Sequence, residues 1–299
     1  MSGHAVRQNY LREFTGLKRN SQLSAFAIVT NYVAQVVIAM GVGYWILQQP
    51  TSWFTWIGVA LAVFFIGTRL RGFNNIVHEC THGTFTQERE DNVLLGSFCA
   101  SMVLSCYHDY RDEHMTHHAH LGDYEKDMDL KGIRDLHLEE QLSAKTILRH
   151  VVTPFVGLHL PFYLGMNLSG RDGVGFRYFK MGLISTAIVF MLVDPIAALL
   201  LVWIPFLWVY SSINYWTDCM DHAGLLENGD ELEASRNILA PLPLKLLLFP
   251  RNDCYHLVHH LFPQVPSGQL EQCHQKLLTN PNYSARNPNY VDSATAQSA

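Results

Sequence analysis

Nine of the 16 histidines in this 299-residue chain form a pattern built on spacings of three and four residues. His78 and His82 bracket Glu-Cys-Thr, His114 precedes the pair His117-His118, His256 precedes His259-His260 in the same spacing, and His222 stands four residues after Asp218. On a helix, positions three and four apart share one face, with Cβ atoms roughly 5–6 Å apart. Each cluster can therefore aim two or three imidazoles at one point. Imidazole suits zinc, copper and iron alike, so ligand type alone does not name a metal. The number of ligands says more. Nine nitrogens exceed the four of a structural zinc site and match two metals, each with about four or five nitrogens and an open position. Cysteine is missing from the pattern, which argues against an iron–sulfur cluster, and there is no glycine-rich dinucleotide or phosphate fingerprint. A metal pair is left as the redox centre.

The elements that must position these histidines are apolar. Hydrophobic residues make up 48% of the chain, and charged residues only 16% against a usual level of about a quarter, a deficit that points to lipid contact. The net charge of −5 gives no basic field, so nucleic-acid binding has no support. Apolar runs Ser24 to Leu47 and Trp53 to Thr68 are joined by only Gln48 to Ser52, and Gly182 to Val193 and Ile196 to Ile213 are joined across Asp194-Pro195. Each pair reads as a helical hairpin, so the expected fold is an all-α integral membrane protein with about four transmembrane helices in two hairpins. Val93 to Tyr107 is short for a span, and Val151 to Met166 holds Pro154, His159 and Pro161, so both read as interfacial segments. The expected division is a cytosolic N-terminal segment 1–22, a membrane-embedded domain 23–279 and a disordered polar tail 280–299.

Arg7, Arg12, Lys18 and Arg19 precede the first span and Arg69 and Arg71 follow the second, which places both termini on the cytoplasmic side. A helix from Trp53 to His82 would be about 45 Å long against a hydrocarbon thickness of about 30 Å, so its last turns would emerge into the cytosol. Gly83, Gly122 and Pro263 are placed to stop the helices after the three clusters. With two hairpins, all nine histidines fall on one side and form a cytosolic histidine-rich cap. Six cysteines (Cys80, Cys99, Cys106, Cys219, Cys254, Cys273) show no disulfide-like spacing and read as reduced thiols.

The order HxxxH, HxxHH, an isolated histidine after a second hairpin, and HxxHH within Tyr255-His-Leu-Val-His-His-Leu-Phe-Pro-Gln-Val-Pro266 resembles the membrane fatty acid desaturase and hydroxylase superfamily between Ile66 and Gly268. The stretch from His114 to Leu130, HMTHHAHLGDYEKDMDL, is also similar to the family's second histidine box with its acidic run. The resemblance implies iron ligation by His78, His82, His114, His117, His118, His222, His256, His259 and His260. It implies two Fe ions, O2 as co-substrate, and oxidation of unactivated C–H bonds of a lipid or fatty acyl chain to a double bond, or to an alcohol in a hydroxylase. Electrons must come from outside, from a ferredoxin, rubredoxin or cytochrome b5, because the chain has no haem, flavin or iron–sulfur module. Stearoyl-CoA members of the family carry Asn four residues before the isolated histidine, where this chain has Asp218. A carboxylate there can bind metal directly or hold a water or an imidazole.

Other readings are plainer. His4, His137, His150, His159 and His274 match no ligand spacing and read as packed or solvated residues. His108 and His120 flank the second cluster closely enough to support it, while Asp218, Asn252 and Asp253 read equally as helix caps or as supports of the site. A zinc hydrolase would need only three or four of the histidines, leaving five unexplained. A metal transporter would place ionisable residues inside the spans, and these spans contain almost none.

Overall fold

Ser21 and Ser52 each accept a backbone hydrogen bond from three residues downstream, at Ser24 and Thr55, and so start the two helices of the first hairpin. The computed structural model describes residues 3–226 and 230–287. Within them the chain is helical, without a named strand. In chain order the helices are α1 (Gly3–Phe14), α2 (Gln22–Leu47), α3 (Trp53–Thr81), α4 (Arg89–Met102), α5 (Tyr107–His120), α6 (Met128–Gly132), α7 (Ala144–Val152), α8 (Leu160–Tyr163), α9 (Val174–Val193), α10 (Pro195–His222), α11 (Leu242–Leu248), α12 (His256–Leu261), α13 (Leu270–Leu277) and α14 (Pro281–Ser284). Four of these, α2, α3, α9 and α10, are long and apolar enough to cross a membrane. The chain is thus an all-α integral membrane protein.

Trp45, Trp53, Phe54 and Trp56 are exposed around the tip of the first hairpin, as aromatic side chains are at a bilayer interface. Along α3 the surroundings change. Trp53 to Phe64 present apolar side chains outward, whereas almost every residue from Ile66 to Thr81 is buried, so the helix leaves lipid and enters protein halfway along. In the second hairpin the spans run longer than their apolar cores, Val174–Val193 instead of from Gly182, and Pro195–His222 instead of to Ile213. Asp194 caps α10 by accepting from the Ala197 amide. Pro205 has no amide hydrogen, and α10 is π-helical on either side of it, over Leu199–Trp203 and Pro205–Tyr210. Most of α9 faces outward; its one fully buried residue, Lys180, donates to the carbonyls of Ser105 and Asn167.

The two segments expected at the interface do not span. α4 lies half-buried against α3 and stacks Phe98 on Phe179 of α9. The stretch around Pro154 is a series of turns with Phe155, Val156 and Leu158 exposed. Gly83 (φ +65°) and Gly122 (φ +88°) end their helices in the left-handed region, and a Cβ on Gly122 would lie 2.3 Å from the Leu226 carbonyl oxygen. At the opposite end of the chain, α1 belongs to the cap, with Phe14 edge-on to Phe262 at 4.8 Å. The expected polar tail begins with an ordered turn: Asn280 caps α14, and Tyr283 is fully buried against α13. One aromatic in a polar stretch is enough to dock it. The rest of that expected tail, 288–299, lies outside the described residues.

Candidate metal centre

Four helices deliver the nine histidines: α3 carries His78 and, at its end, His82; α5 carries His114, His117 and His118; α10 ends at His222; α12 carries His256, His259 and His260. They gather into two sets. His78, His82, His114, His118 and His259 form one, and His117, His222, His256 and His260 the other, with the ligand atoms of each set within 4.8 Å of one another. The sets touch, His118 stacking on His260 at a centroid distance of 4.5 Å.

Nitrogen faces nitrogen throughout. In the first set the Nε2 atoms of His82 and His118 each lie 3.1 Å from Nε2 of His114, and His259 Nε2 lies 3.0 Å from that of His118. In the second, His256 Nε2 lies 2.9 Å from Nε2 of both His222 and His260. The Nδ1 side fixes which nitrogens carry protons. His222 Nδ1 is 3.0 Å from the Ala234 carbonyl oxygen, which only accepts, so this nitrogen is the donor and Nε2 of the neutral ring holds a lone pair. His117 Nδ1 meets the buried Asp127 at 2.9 Å, His114 Nδ1 meets Asp129 at 3.1 Å, and His256 Nδ1 lies 3.5 Å from Asp221. Burial first, and neighbouring imidazoles second, hold His82, His118, His256, His259 and His260 well below the usual histidine range. Neutral rings with lone pairs pointed inward repel one another unless a cation sits among them. The buried Nε2 of His78 has no protein partner, which fits the same demand. The donor set therefore fits two transition-metal ions, with carboxylates and a carbonyl orienting the rings from behind.

The supporting groups expected beside the clusters divide. Asp253 accepts from Arg71 at 2.5 Å, and Arg71 also donates to Asn214. Asn252, at φ +60°, donates to the Ser267 carbonyl. Asp218 lies outside both nitrogen sets and accepts from the Tyr163 hydroxyl at 2.6 Å. His108 is drawn away to Asp172 at 2.7 Å, and His120 is exposed. Of the isolated histidines, His150 and His159 pack beside α10, with Tyr215 and with Ser211 and Ser212 as partners; His274 bonds Tyr283; His4 and His137 are exposed. Arg69 and Arg71 are buried polar anchors instead of free interfacial charges, Arg69 donating to the Leu246 carbonyl.

Residues not singled out from the sequence complete the centre. Asp127 and Asp129 belong to the acidic run after the second cluster, and that run was the visible signal. Glu79, next to His78, takes both ends of the Arg251 guanidinium at 2.5 and 2.8 Å and the Ser267 hydroxyl at 2.6 Å. A cavity of about 430 Å3 opens against the histidines, walled by Phe162, Tyr163, Phe206 and Tyr210 as well as by polar groups.

The fatty acid desaturase family matches residues 50–291. Dihydrorhizobitoxine desaturase of Bradyrhizobium elkanii is 27% identical over 253 residues, covering 77% of this chain and 70% of that protein. Two Arabidopsis thaliana proteins are each 26% identical. The endoplasmic reticulum acyl-lipid omega-3 desaturase (cytochrome b5) aligns over 275 residues, 80% of this chain and 68% of its own. The chloroplastic temperature-sensitive sn-2 acyl-lipid omega-3 desaturase (ferredoxin) aligns over 253 residues, 76% of this chain and 55% of its own.

Proposed function

This chain belongs to the fatty acid desaturase family, and from that premise we propose that it is an O2-dependent oxidase that puts a double bond into an aliphatic lipid or acyl chain, with its nine histidines holding two irons. It is an oxidoreductase of the membrane. The observation that carries the finer reading is the inward convergence of Nε2 atoms in two touching sets of five and four. A bound iron pair supplies O2 reduction and removal of hydrogen from an unactivated carbon. Everything else falls to the protein's own groups. Asp127, Asp129, Asp221 and the Ala234 carbonyl hold the ring tautomers. Phe162, Leu164 and Phe206 line the cavity with apolar surface that seats a methylene segment and keeps water from it. Tight seating favours the alkene over the alcohol, because the two outcomes differ by about an ångström in substrate position.

Electrons come from a separate ferredoxin, rubredoxin or cytochrome b5, the first and last being donor kinds named for relatives. The basic residues before α2 favour the cytoplasmic side for both termini and for the histidines. Elemental analysis of purified protein tests the metal reading. We expect about two irons per chain and little zinc; one stoichiometric zinc, with activity surviving iron removal, overturns it. Product analysis with isotopically labelled lipids is expected to give an alkene.

A further inference from the structure

The charged wall of the cavity that ends at the histidines is mostly acidic. Its charged lining consists of Glu113, Asp129, Asp218, Asp221 and Asp253 against Arg71 alone. Three of these acids are committed: Asp129 to His114, Asp221 to His256 through Oδ2, and Asp253 to Arg71. Asp218 is placed differently. Its hydrogen-bond partner is the neutral hydroxyl of Tyr163, and it lies outside both nitrogen sets. Burial and Asp218 hold the Tyr163 phenol well above its usual range, so it stays a donor.

A second observation points to a polar ligand. Asp221, only 1% exposed, lines the same cavity, and its buried Oδ1, an acceptor, has no partner. A chain of methylenes filling this space would desolvate the carboxylates of Asp218 and Asp221 and offer neither a donor. A neighbouring cavity of about 380 Å3 shares Ser105, Tyr110, Glu113 and Gly165 with the first and adds Asp109, which is paired with Arg171.

We infer that the substrate carries a protonated amine, held by the Asp218 carboxylate a few carbons from the C–H bond that is oxidised. This rests on reading the cavity as the substrate site of the proposed oxidase. The ammonium donates to Asp218, while Tyr163 donates to Oδ2 and fixes the carboxylate. Arg71, the one cation in the lining, directs its two terminal nitrogens to Asn214 and Asp253. Asp218 lies four residues of α10 before His222, about 6 Å along the axis, so an amine anchored there brings its nearby carbons to the second histidine set.

Binding of octylamine, octanol and octanoate to the metal-loaded protein in phosphatidylcholine nanodiscs tests this without turnover. Octylamine is expected to bind roughly tenfold more tightly than octanol, and octanoate weakest. Asp218→Asn should remove the advantage of the amine and leave octanol binding and iron content unchanged. Equal binding of amine and alcohol by the wild type, or an amine preference that survives Asp218→Asn, overturns the inference. So does loss of iron in Asp218→Asn, which would make Asp218 a metal ligand. Should that variant fail to fold, Tyr163→Phe is measured instead; it should weaken octylamine binding several-fold, and no change counts against the inference. An amine preference in a protein found to hold zinc would leave this inference standing while the iron reading fell.

Discussion

His118 and His137 have the same side chain and different surroundings. His118 has its Nε2 among four other histidine nitrogens, whereas His137 is exposed in a left-handed turn and pairs with Glu139. His118→Ala or His260→Ala is therefore expected to abolish turnover and His137→Ala to leave it intact, read as kcat per folded molecule. His274 is a separate case, fully buried with Tyr283 at 2.6 Å. His274→Ala should lower stability by about 1–3 kcal/mol while folded molecules keep their rate. Equal loss of kcat across all four variants would mean that the clusters serve stability, not chemistry. The buried rings also set a pH dependence. Unfolded histidines take up protons below about pH 6.5, but the folded His82, His118, His256, His259 and His260 do not until much lower. The stability they contribute is present above about pH 6.5 and is lost as pH falls. Chelator-treated protein should show a Tm that drops steadily from pH 6.5 to 5; a flat profile counts against neutral rings.

Elements are held in register by groups outside the two histidine sets. Glu79 on α3 grips Arg251, whose own backbone sits at φ +67° just before α12. That pair fixes α12, and with it His259, against His78. Glu79→Ala would leave a buried guanidinium unpaired, a destabilisation of about 3–5 kcal/mol. Thermal unfolding should shift accordingly, and metal content should fall. The end of α5 has a comparable dependence on Gly122, where any Cβ meets the Leu226 carbonyl. Gly122→Ala is expected to lower both Tm and metal retention, the latter because His117 and His118 lie within that last turn and a half.

For the whole molecule, the question is which compartment each end of a hairpin faces. All six cysteines are free and buried, so the chain offers thiol reagents little background. Single cysteines placed at Gln49, in the first hairpin turn, and at Lys126, after the second histidine cluster, occupy exposed sites. In sealed, oriented vesicles an impermeant maleimide should reach Gln49→Cys and Lys126→Cys from opposite sides, with Lys126→Cys on the cytoplasmic side. Labelling of both from one side would contradict two hairpins.

Local properties were legible in the sequence. Helical hairpins follow from the lengths of apolar runs, and shared faces follow from gaps of three and four, because both depend on residues close along the chain. The nine histidines and the four spans were readable for that reason. Their division into sets was not. His117 and His118 are neighbours in sequence yet belong to different sets, as do His259 and His260, because consecutive side chains on a helix point about 100° apart. Which partner each direction meets depends on how α3, α5, α10 and α12 pack. The same holds for the burial of Arg71 beside Asp253, 182 positions away in sequence, and for Tyr163 meeting Asp218. Spacing singled out the nine histidines; only tertiary packing decided which of their nitrogens converge and what the cavity beside them offers a substrate.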